Sequence, residues 1–182
     1  MRQGTKSPVR ILIAEDESII RLDLREMLVQ AGYEVCAEAA GGEEAVRMAQ
    51  ETEPEAAVLD VRMPGMTGIE AARRILAERP IPIVMLTAYA DSGTVAEAVR
   101  ADVFAYVVKP FREPDLLAAL ETAVARHREW LDGRRDLGNS PERGSTALDV
   151  VVGDGLWPLR IERRADGSLD VTPIASGSEE QR

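Results

Sequence analysis

The chain contains a single cysteine, Cys36, and therefore cannot form a disulfide within itself. This cysteine usage is typical of proteins in a reducing compartment. The expected role of Cys36 is that of a small buried hydrophobic residue in a strand rather than that of a reactive thiol. Aromatic residues make up only 4% of the 182 residues. A hydrophobic core must therefore be built mainly from Val, Ile, Leu, Ala and Met.

Long apolar runs and a basic surface are also missing from the sequence. No segment approaches the roughly 20 apolar residues that cross a bilayer, and residues 1–8 lack the apolar stretch of a secretory signal. The formal net charge of −10 argues against a broad basic surface for nucleic acid or for an anionic membrane. We therefore expect a soluble cytoplasmic protein that has no membrane partner.

Strand-like and helix-like segments alternate as far as about residue 131. The strand-like segments are 9–14, 33–39, 56–59, 82–86 and 104–108. The helix-like segments are 17–30, 42–51, 67–79, 91–101 and a last one that begins between Pro110 and Pro114 and ends near 131. Five such strand–helix units predict an α/β fold with a doubly wound parallel sheet and right-handed crossovers.

Polar side chains follow four of these strand-like segments. Glu15 and Asp16 follow the first, Asp60 the third, Thr87 the fourth and Lys109 the fifth. Because the carboxyl ends of the strands in an open α/β sheet form one ligand-binding edge, we expect these side chains to converge. Carboxylate oxygens suit Mg²⁺, and a carboxylate can attack phosphorus as a nucleophile. An ammonium group and a hydroxyl group can then bind phosphoryl oxygens. A single Asp after a strand is usually a turn former or a helix cap, but five such residues are harder to explain in that way.

Four sequence segments give this pattern a family resemblance: 11–17 (ILIAEDE), 59–68 (LDVRMPGMTG), 85–88 (MLTA) and 106–111 (YVVKPF). Through them, residues 9–131 resemble the receiver domain of two-component response regulators. The resemblance implies an α/β, flavodoxin-like fold: a doubly wound five-stranded parallel sheet of order 2-1-3-4-5. It also implies a function, in which a histidine kinase donates a phosphoryl group to the receiver and the receiver then changes conformation to regulate a partner.

The resemblance assigns roles to the acidic residues. Asp60 is the expected phosphoacceptor, and Mg²⁺ is the expected cofactor. Asp16 and Asp60 would bind the metal, together with the backbone carbonyl of Arg62, while Glu15 would act largely through water. The receiver would catalyse its own phosphorylation and dephosphorylation, but its product is a conformation, so we do not expect an enzyme in the usual sense.

The same resemblance assigns the phosphoryl-binding and switch residues. Thr87 and Tyr106 match the switch pair of the family, in which the hydroxyl moves toward the phosphoryl group and the aromatic ring turns inward behind it. Lys109 would bind the phosphoryl group, and the Lys109–Pro110 peptide bond is expected to be cis. The alternative for Tyr106 is an ordinary, half-exposed aromatic residue of a strand.

Two positions depart from the family pattern. Residues 101–103 (ADV) stand where relatives usually carry a turn of small residues, so the approach to the fifth strand is expected to be distorted. Arg62 is basic and lies two residues after Asp60, where it could change the lifetime of the phosphoryl group in either direction.

The composition changes after residue 131. Residues 132–147 are rich in Gly, Arg, Ser, Asn and Pro and are predicted to be a linker. Residues 148–174 alternate in a strand-like way and are predicted to be a small β-rich, hairpin-like extension, with an Asp166–Gly167 turn. Because an isolated hairpin is marginal in water, we expect it to dock or to fray. Residues 1–8 and 175–182 are predicted to be disordered.

The output of the chain is left open by the sequence. Residues 15–24 and 86–89 are most similar to the receivers of ANTAR-type regulators, which end in a three-helix RNA-binding antitermination domain. After residue 131, however, we find no long amphipathic helix, and acidic side chains outnumber basic ones by ten to seven. The basic cluster of Arg160, Arg163 and Arg164 is better explained by solvated strand faces than by phosphate contacts.

Three functions therefore remain as alternatives. The first is a signalling switch that contacts a protein partner and possesses a last helix that could form a homodimer after phosphorylation. The second is an RNA-binding antiterminator with a diverged or truncated output module. The third, a DNA-binding transcription factor, is disfavoured by the acidity of the extension. His127, which lies late in the last helix, is expected to be a surface cation near the helix C-terminus rather than a phosphotransfer residue.

Overall fold

A computed structural model of the chain describes residues 7–88, 105–136, 145–152, 155–163 and 169–173. The predicted helix at 91–101, the 101–103 turn and the Asp166–Gly167 turn lie outside the described residues. So do Arg164, the tail at 175–182 and most of the predicted linker. Two compact units are distinguished, residues 1–85 and 86–182, and each is described by itself. Among the described residues, no helix combines the length and the apolar character needed to cross a bilayer.

The first unit is built on parallel strands. Its elements are β1 (Arg10–Ala14), α1 (Ser18–Gln30), β2 (Glu34–Ala39), α2 (Gly42–Thr52), β3 (Ala56–Asp60), α3 (Gly68–Glu78) and the start of β4 (Ile83–Thr87). The strand order is β2-β1-β3-β4, and β1 pairs in parallel with both β2 and β3. All five residues of β3 and of β4 are buried, as expected for parallel strands that are covered on both faces.

The helices of the first unit end and begin at recognisable sequence signals. Gly32 has a positive φ of 89° directly after α1. The N–H of Gly32 donates to the carbonyl of Val29, and the N–H of Tyr33 donates to the carbonyl of Leu28. This pair of bonds is a Schellman motif, which requires a residue in the left-handed region and therefore favours glycine. The predicted end of α1 at Gly32 is thus explained by its backbone.

The second unit contains one described helix and four described strands besides the end of β4. They are β5 (Ala105–Val108), α4 (Glu113–Asp136), β6 (Ser145–Val152), β7 (Gly155–Arg163) and β8 (Leu169–Pro173). Their strand order is β5-β6-β7-β8, with a parallel β5–β6 pair followed by two antiparallel pairs. Helix α4 packs against β5 and β6 and buries Leu116, Ala119, Leu120 and Ala123.

Three expectations for this unit are corrected by the structure. The last helix runs to Asp136 rather than ending near 131, and β6 already begins at Ser145, inside the predicted linker. The early helix end was inferred from the composition of residues 132–147, but a single glycine such as Gly133 costs a helix only about 1 kcal/mol. His127 is not a surface cation: it is 8% exposed on α4, and burial lowers the pKa of its imidazole.

Candidate functional site

The first two carboxylates of the site follow β1 in a turn that is fixed by hydrogen bonds. The N–H of Glu15 donates to the carbonyl of Ala39 at 3.1 Å, and the guanidinium of Arg21 donates to the carbonyl of Glu15. A carboxylate oxygen of Glu15 accepts the N–H of Glu17 at 3.3 Å. The side chain of Glu15 is fully buried, whereas Asp16 is exposed. One carboxylate is therefore held inside and its neighbour faces solvent.

The third carboxylate, Asp60, is the last residue of β3 and is 6% exposed. Its Oδ1 accepts the backbone N–H of Arg62 at 3.4 Å, while the side chain of Arg62 is exposed. The loop between β3 and α3 folds back onto the end of β3, because the N–H of Gly68 donates to the carbonyl of Val61 at 3.1 Å. The first turn of α3 therefore lies directly against Asp60.

Glu15, Asp16 and Asp60 form one cluster, which we call the acidic cluster. One carboxylate oxygen from each residue lies within 4.8 Å of the others. Three negative charges this close repel one another, most strongly where burial excludes water. The donor set consists of hard oxygen ligands, and the exposed side at Asp16 leaves room for water, so these residues fit Mg²⁺, a cation that usually retains several waters.

The remaining predicted site residues lie in the second unit. Thr87 ends β4 and is 3% exposed, and Lys109 follows β5 and is partly exposed. The backbone N–H of Lys109 donates to the carbonyl of Thr87 at 2.7 Å, so the ends of β4 and β5 are held side by side. The Lys109–Pro110 peptide bond is cis, the geometry that the resemblance implies. Tyr106 is fully buried, which contradicts the alternative of a half-exposed strand residue.

The structure also identifies supporting residues that the sequence analysis missed. Thr67 caps α3: its hydroxyl accepts the N–H of Glu70, and the Glu70 carboxylate accepts the N–H of Thr67 at 2.9 Å. The backbone N–H and the hydroxyl of Thr67 both donate to the Glu70 carboxylate, and these two bonds lower the pKa of Glu70. The Thr-x-x-Glu spacing at 67–70 is the signature of a capping box, so the signal was present in the sequence. Gly68 was quoted only as part of a motif, and no signal in a single sequence shows how close it comes to Asp60.

The chain matches the family of response regulator receiver domains over residues 11–121. It is 49% identical over 149 residues to the transcriptional regulatory protein PdtaR of Mycobacterium tuberculosis, an alignment that covers 82% of this chain and 73% of that protein. It is 36% identical over 112 residues to the chemotaxis protein CheY of Thermotoga maritima, covering 61% of this chain and 93% of CheY.

Solved structures show the same relationship. The signal receiver domain of a modulated diguanylate cyclase from Desulfovibrio desulfuricans aligns with a TM-score of 0.64 at 31% identity, covering 68% of this chain and 98% of that domain. A CheY-like receiver domain from Methanospirillum hungatei aligns with the same TM-score at 27% identity. The predicted fold class is thereby confirmed as a flavodoxin-like parallel sheet of five strands in the order 2-1-3-4-5. With the acidic cluster at its strand ends, this chain belongs to the response regulator receiver family of two-component signalling proteins.

Proposed function

We propose that Asp60 is the residue on which this receiver accepts its phosphoryl group, with a sensor histidine kinase as donor. The observation that carries the proposal is the acidic cluster, in which Asp60 lies within 4.8 Å of two further carboxylates. Asp60 ends a buried strand and is only 6% exposed, so its position is fixed by β3. A fixed nucleophile beside a metal-binding group is what phosphoryl transfer requires of a protein.

Mg²⁺ is the cofactor that we propose for this cluster. Asp16 and Asp60 would bind it through carboxylate oxygens, the backbone carbonyl of Arg62 would complete the set, and Glu15 would act largely through water. When bound, the metal offsets the negative charge that gathers on the attacking and transferring oxygens. The chain itself keeps Glu15 buried and hydrogen-bonded to the N–H of Glu17, which holds the carboxylate toward the cluster.

Three residues of the second unit would respond to phosphorylation. We assign phosphoryl binding to the ammonium of Lys109 and the hydroxyl of Thr87, and the inward switch position to Tyr106. The hydrogen bond between the backbones of Lys109 and Thr87 supports a joint role, because movement at one strand end is transmitted to the other. The burial of Tyr106 supports its inward position.

The direct test uses acetyl phosphate and Mg²⁺ with intact-protein mass spectrometry. Wild-type protein and Asp23→Asn should each gain one phosphoryl group, since Asp23 is an exposed carboxylate on α1, outside the acidic cluster. Asp60→Asn should gain none. Labelling that persists in Asp60→Asn would place the acceptor elsewhere. The mass should return to its starting value with time, because the proposed receiver also catalyses its own dephosphorylation; a stable label would contradict that part.

For the output, we propose contact with a protein partner. The described residues after β5 form one helix and three strands, which is unlike the three-helix module that the resemblance to ANTAR-type regulators implies. RNA-binding antitermination is the second candidate, and the name of PdtaR as a transcriptional regulatory protein favours it. A pull-down from cytosol with and without beryllofluoride and Mg²⁺ separates the two: specific RNA enriched by the acyl-phosphate mimic supports antitermination, and protein without RNA supports the first.

A further inference from the structure

The extension that follows α4 is joined to the receiver sheet through its first strand. Strand β6 pairs in parallel with β5, with Ala105, Tyr106 and Val107 opposite Asp149, Val150 and Val151. Because β5 has only four residues, this pairing covers nearly all of its length. The sequence of the extension favours docking or fraying and carries no signal for the strand on which it docks.

The route of the chain supports this placement. Parallel strands cannot be joined by a tight hairpin and need a long crossover, which is usually a helix. Helix α4 provides that crossover, since it follows β5, contacts both β5 and β6, and ends at Asp136, with eight residues between its end and Ser145. The β5–α4–β6 segment is therefore a βαβ unit within one chain.

Strand β6 is also held from its other side. It forms an antiparallel ladder with β7 along its whole length, from Ser145 opposite Glu162 to Val152 opposite Gly155. Strand β8 extends the same sheet beyond β7. Three paired strands are the minimum that is expected to be stable in water when packed on another element. The extension therefore continues the sheet beyond β5 by three strands, and we call β6, β7 and β8 together the cover.

We propose that the cover closes the β5 edge of the receiver and thereby keeps a second copy of this chain from pairing with that edge. An uncovered edge strand presents a row of unpaired N–H and C=O groups, which is a template for association with another chain. A second copy is the partner that fits best, because the exposed β5 edges of two copies are identical and can pair with each other about a two-fold axis. This inference does not depend on phosphorylation of Asp60.

The test disrupts the pairing between the cover and β5 in the 182-residue chain. Successive residues of a strand direct their N–H groups to opposite sides, so a double variant, Val150→Pro with Val151→Pro, removes one donor from each ladder of β6. Asp170→Pro is the matched control, because it lies in β8, which pairs with β7 and not with β6. Hydrogen exchange of residues 105–108 and the molar mass by light scattering are measured for each protein.

We expect the double variant to exchange β5 amides about tenfold faster or more and to form a dimer whose amount rises with protein concentration. Wild-type protein and Asp170→Pro should remain monomeric with protected β5 amides. Unchanged β5 protection in a double variant that has lost protection in β6 would show that β6 does not cover β5. A variant that exposes β5 yet stays monomeric, or a wild-type dimer, would also overturn the proposal.

Hydrogen exchange of the wild-type protein provides a second test, which applies even if the double variant fails to fold. In low urea, amides that open in the same event exchange with the same free energy of opening. The amides of β5 that bond to β6 should therefore exchange together with those of the cover and before the amides of β1 and β3. Exchange of all β5 amides together with β1 and β3 would contradict the cover.

Discussion

Gly68 approaches Asp60 so closely that a Cβ on residue 68 would lie 1.8 Å from the Asp60 carbonyl oxygen. No Cβ fits at that distance from a backbone atom, so any other residue at this position must push α3 and the end of β3 apart. The need for glycine here comes from space rather than from backbone conformation, since Gly68 does not have a positive φ. The residue that begins α3 therefore decides how near that helix can come to the acidic cluster.

We expect Gly68→Ala to lower the free energy of unfolding by about 2 kcal/mol or more, in the upper range for an overpacked site. It should also slow the acceptance of phosphate from acetyl phosphate, because Asp60 is displaced. Gly41→Ala is the control, since a Cβ there meets nothing within 4 Å. It precedes α2 in an extended conformation and should cost under about 1 kcal/mol. Equal urea midpoints for the two variants would contradict the steric argument.

Mg²⁺ should stabilise the protein through the acidic cluster. At a metal concentration 100 times the Kd, binding to the folded state alone adds about 2.7 kcal/mol to the free energy of unfolding. We expect Asp23→Asn to keep this gain and Asp16→Asn to lose most of it. Without metal, Asp16→Asn should unfold at a higher temperature than wild type, because one of three repelling charges is gone. Thermal unfolding with and without Mg²⁺ measures both effects, and an equal metal response in the two variants would exclude Asp16 as a ligand.

Lys109→Ala should separate phosphorylation from switching. Since Asp60 and the other carboxylates are intact, the variant should still gain a phosphoryl group from acetyl phosphate. It should no longer show the change in hydrogen exchange at residues 105–108 that beryllofluoride and Mg²⁺ cause in wild type. Arg112→Ala, which removes an exposed cation paired with Asp115, is the control. A normal exchange response in Lys109→Ala would contradict the role proposed for its ammonium group.

Acid should destabilise the protein through His127, the single histidine of the chain. Burial lowers the pKa of its imidazole in the folded state, so below the ordinary value of about 6.5 the unfolded state binds the proton more readily. The stability that neutral His127 contributes is therefore fully present above the unfolded-state pKa. It is lost as the pH falls through the lowered pKa of the folded state. Urea unfolding at several pH values should show this slope in wild type and a smaller one in His127→Leu. Parallel pH profiles for the two proteins would be incompatible with the prediction.

The cap of α3 should contribute to stability in the same region. Thr67→Ala removes the hydroxyl together with the methyl group of Thr67, so the N–H of Glu70 loses its acceptor, and it should cost roughly 1 kcal/mol of unfolding free energy. Thr67→Ser retains the acceptor and should unfold close to wild type. If both variants lost the same stability, the methyl group rather than the cap would be responsible.

The parallel sheet could be predicted because its strands are continuous apolar runs and because Gly or Pro residues occur between many of the strands and helices. Tyr106 shows the limit of a prediction from resemblance: the motif YVVKPF predicts a ring that turns inward on phosphorylation, which stays a prediction, and the structure shows a fully buried ring. His127 was misplaced for a physical reason. Its neighbours Arg126 and Arg128 suggest a polar face, but the helical period puts residue 127 in line with the buried residues 120 and 123.

The position of the extension could not be predicted from the sequence. Alternation within residues 148–174 indicates strands, but a period of two carries no information about which strand of another sheet they will join. The pairing of Tyr106 with Val150 is a contact between segments 44 residues apart, and it depends on where α4 directs the chain. The prediction that α4 ends near residue 131 was wrong. With a linker expected after that point, nothing in the sequence indicated a βαβ crossover from β5 to β6.

Among the described strands, β8 takes the place of β5 as the last strand on that side of the sheet, and this difference bears on solubility at high protein concentration. Strand β5 consists of Ala, Tyr, Val and Val, a β-prone and uncharged segment of the kind that aggregates when exposed. Strand β8 is only five residues long, contains Asp170 and ends at Pro173, which has no N–H to donate. Short, charged and proline-containing edges resist intermolecular pairing. By adding β6, β7 and β8, the chain pairs the aggregation-prone strand β5 on that side and presents β8, a strand that resists pairing, at the edge instead.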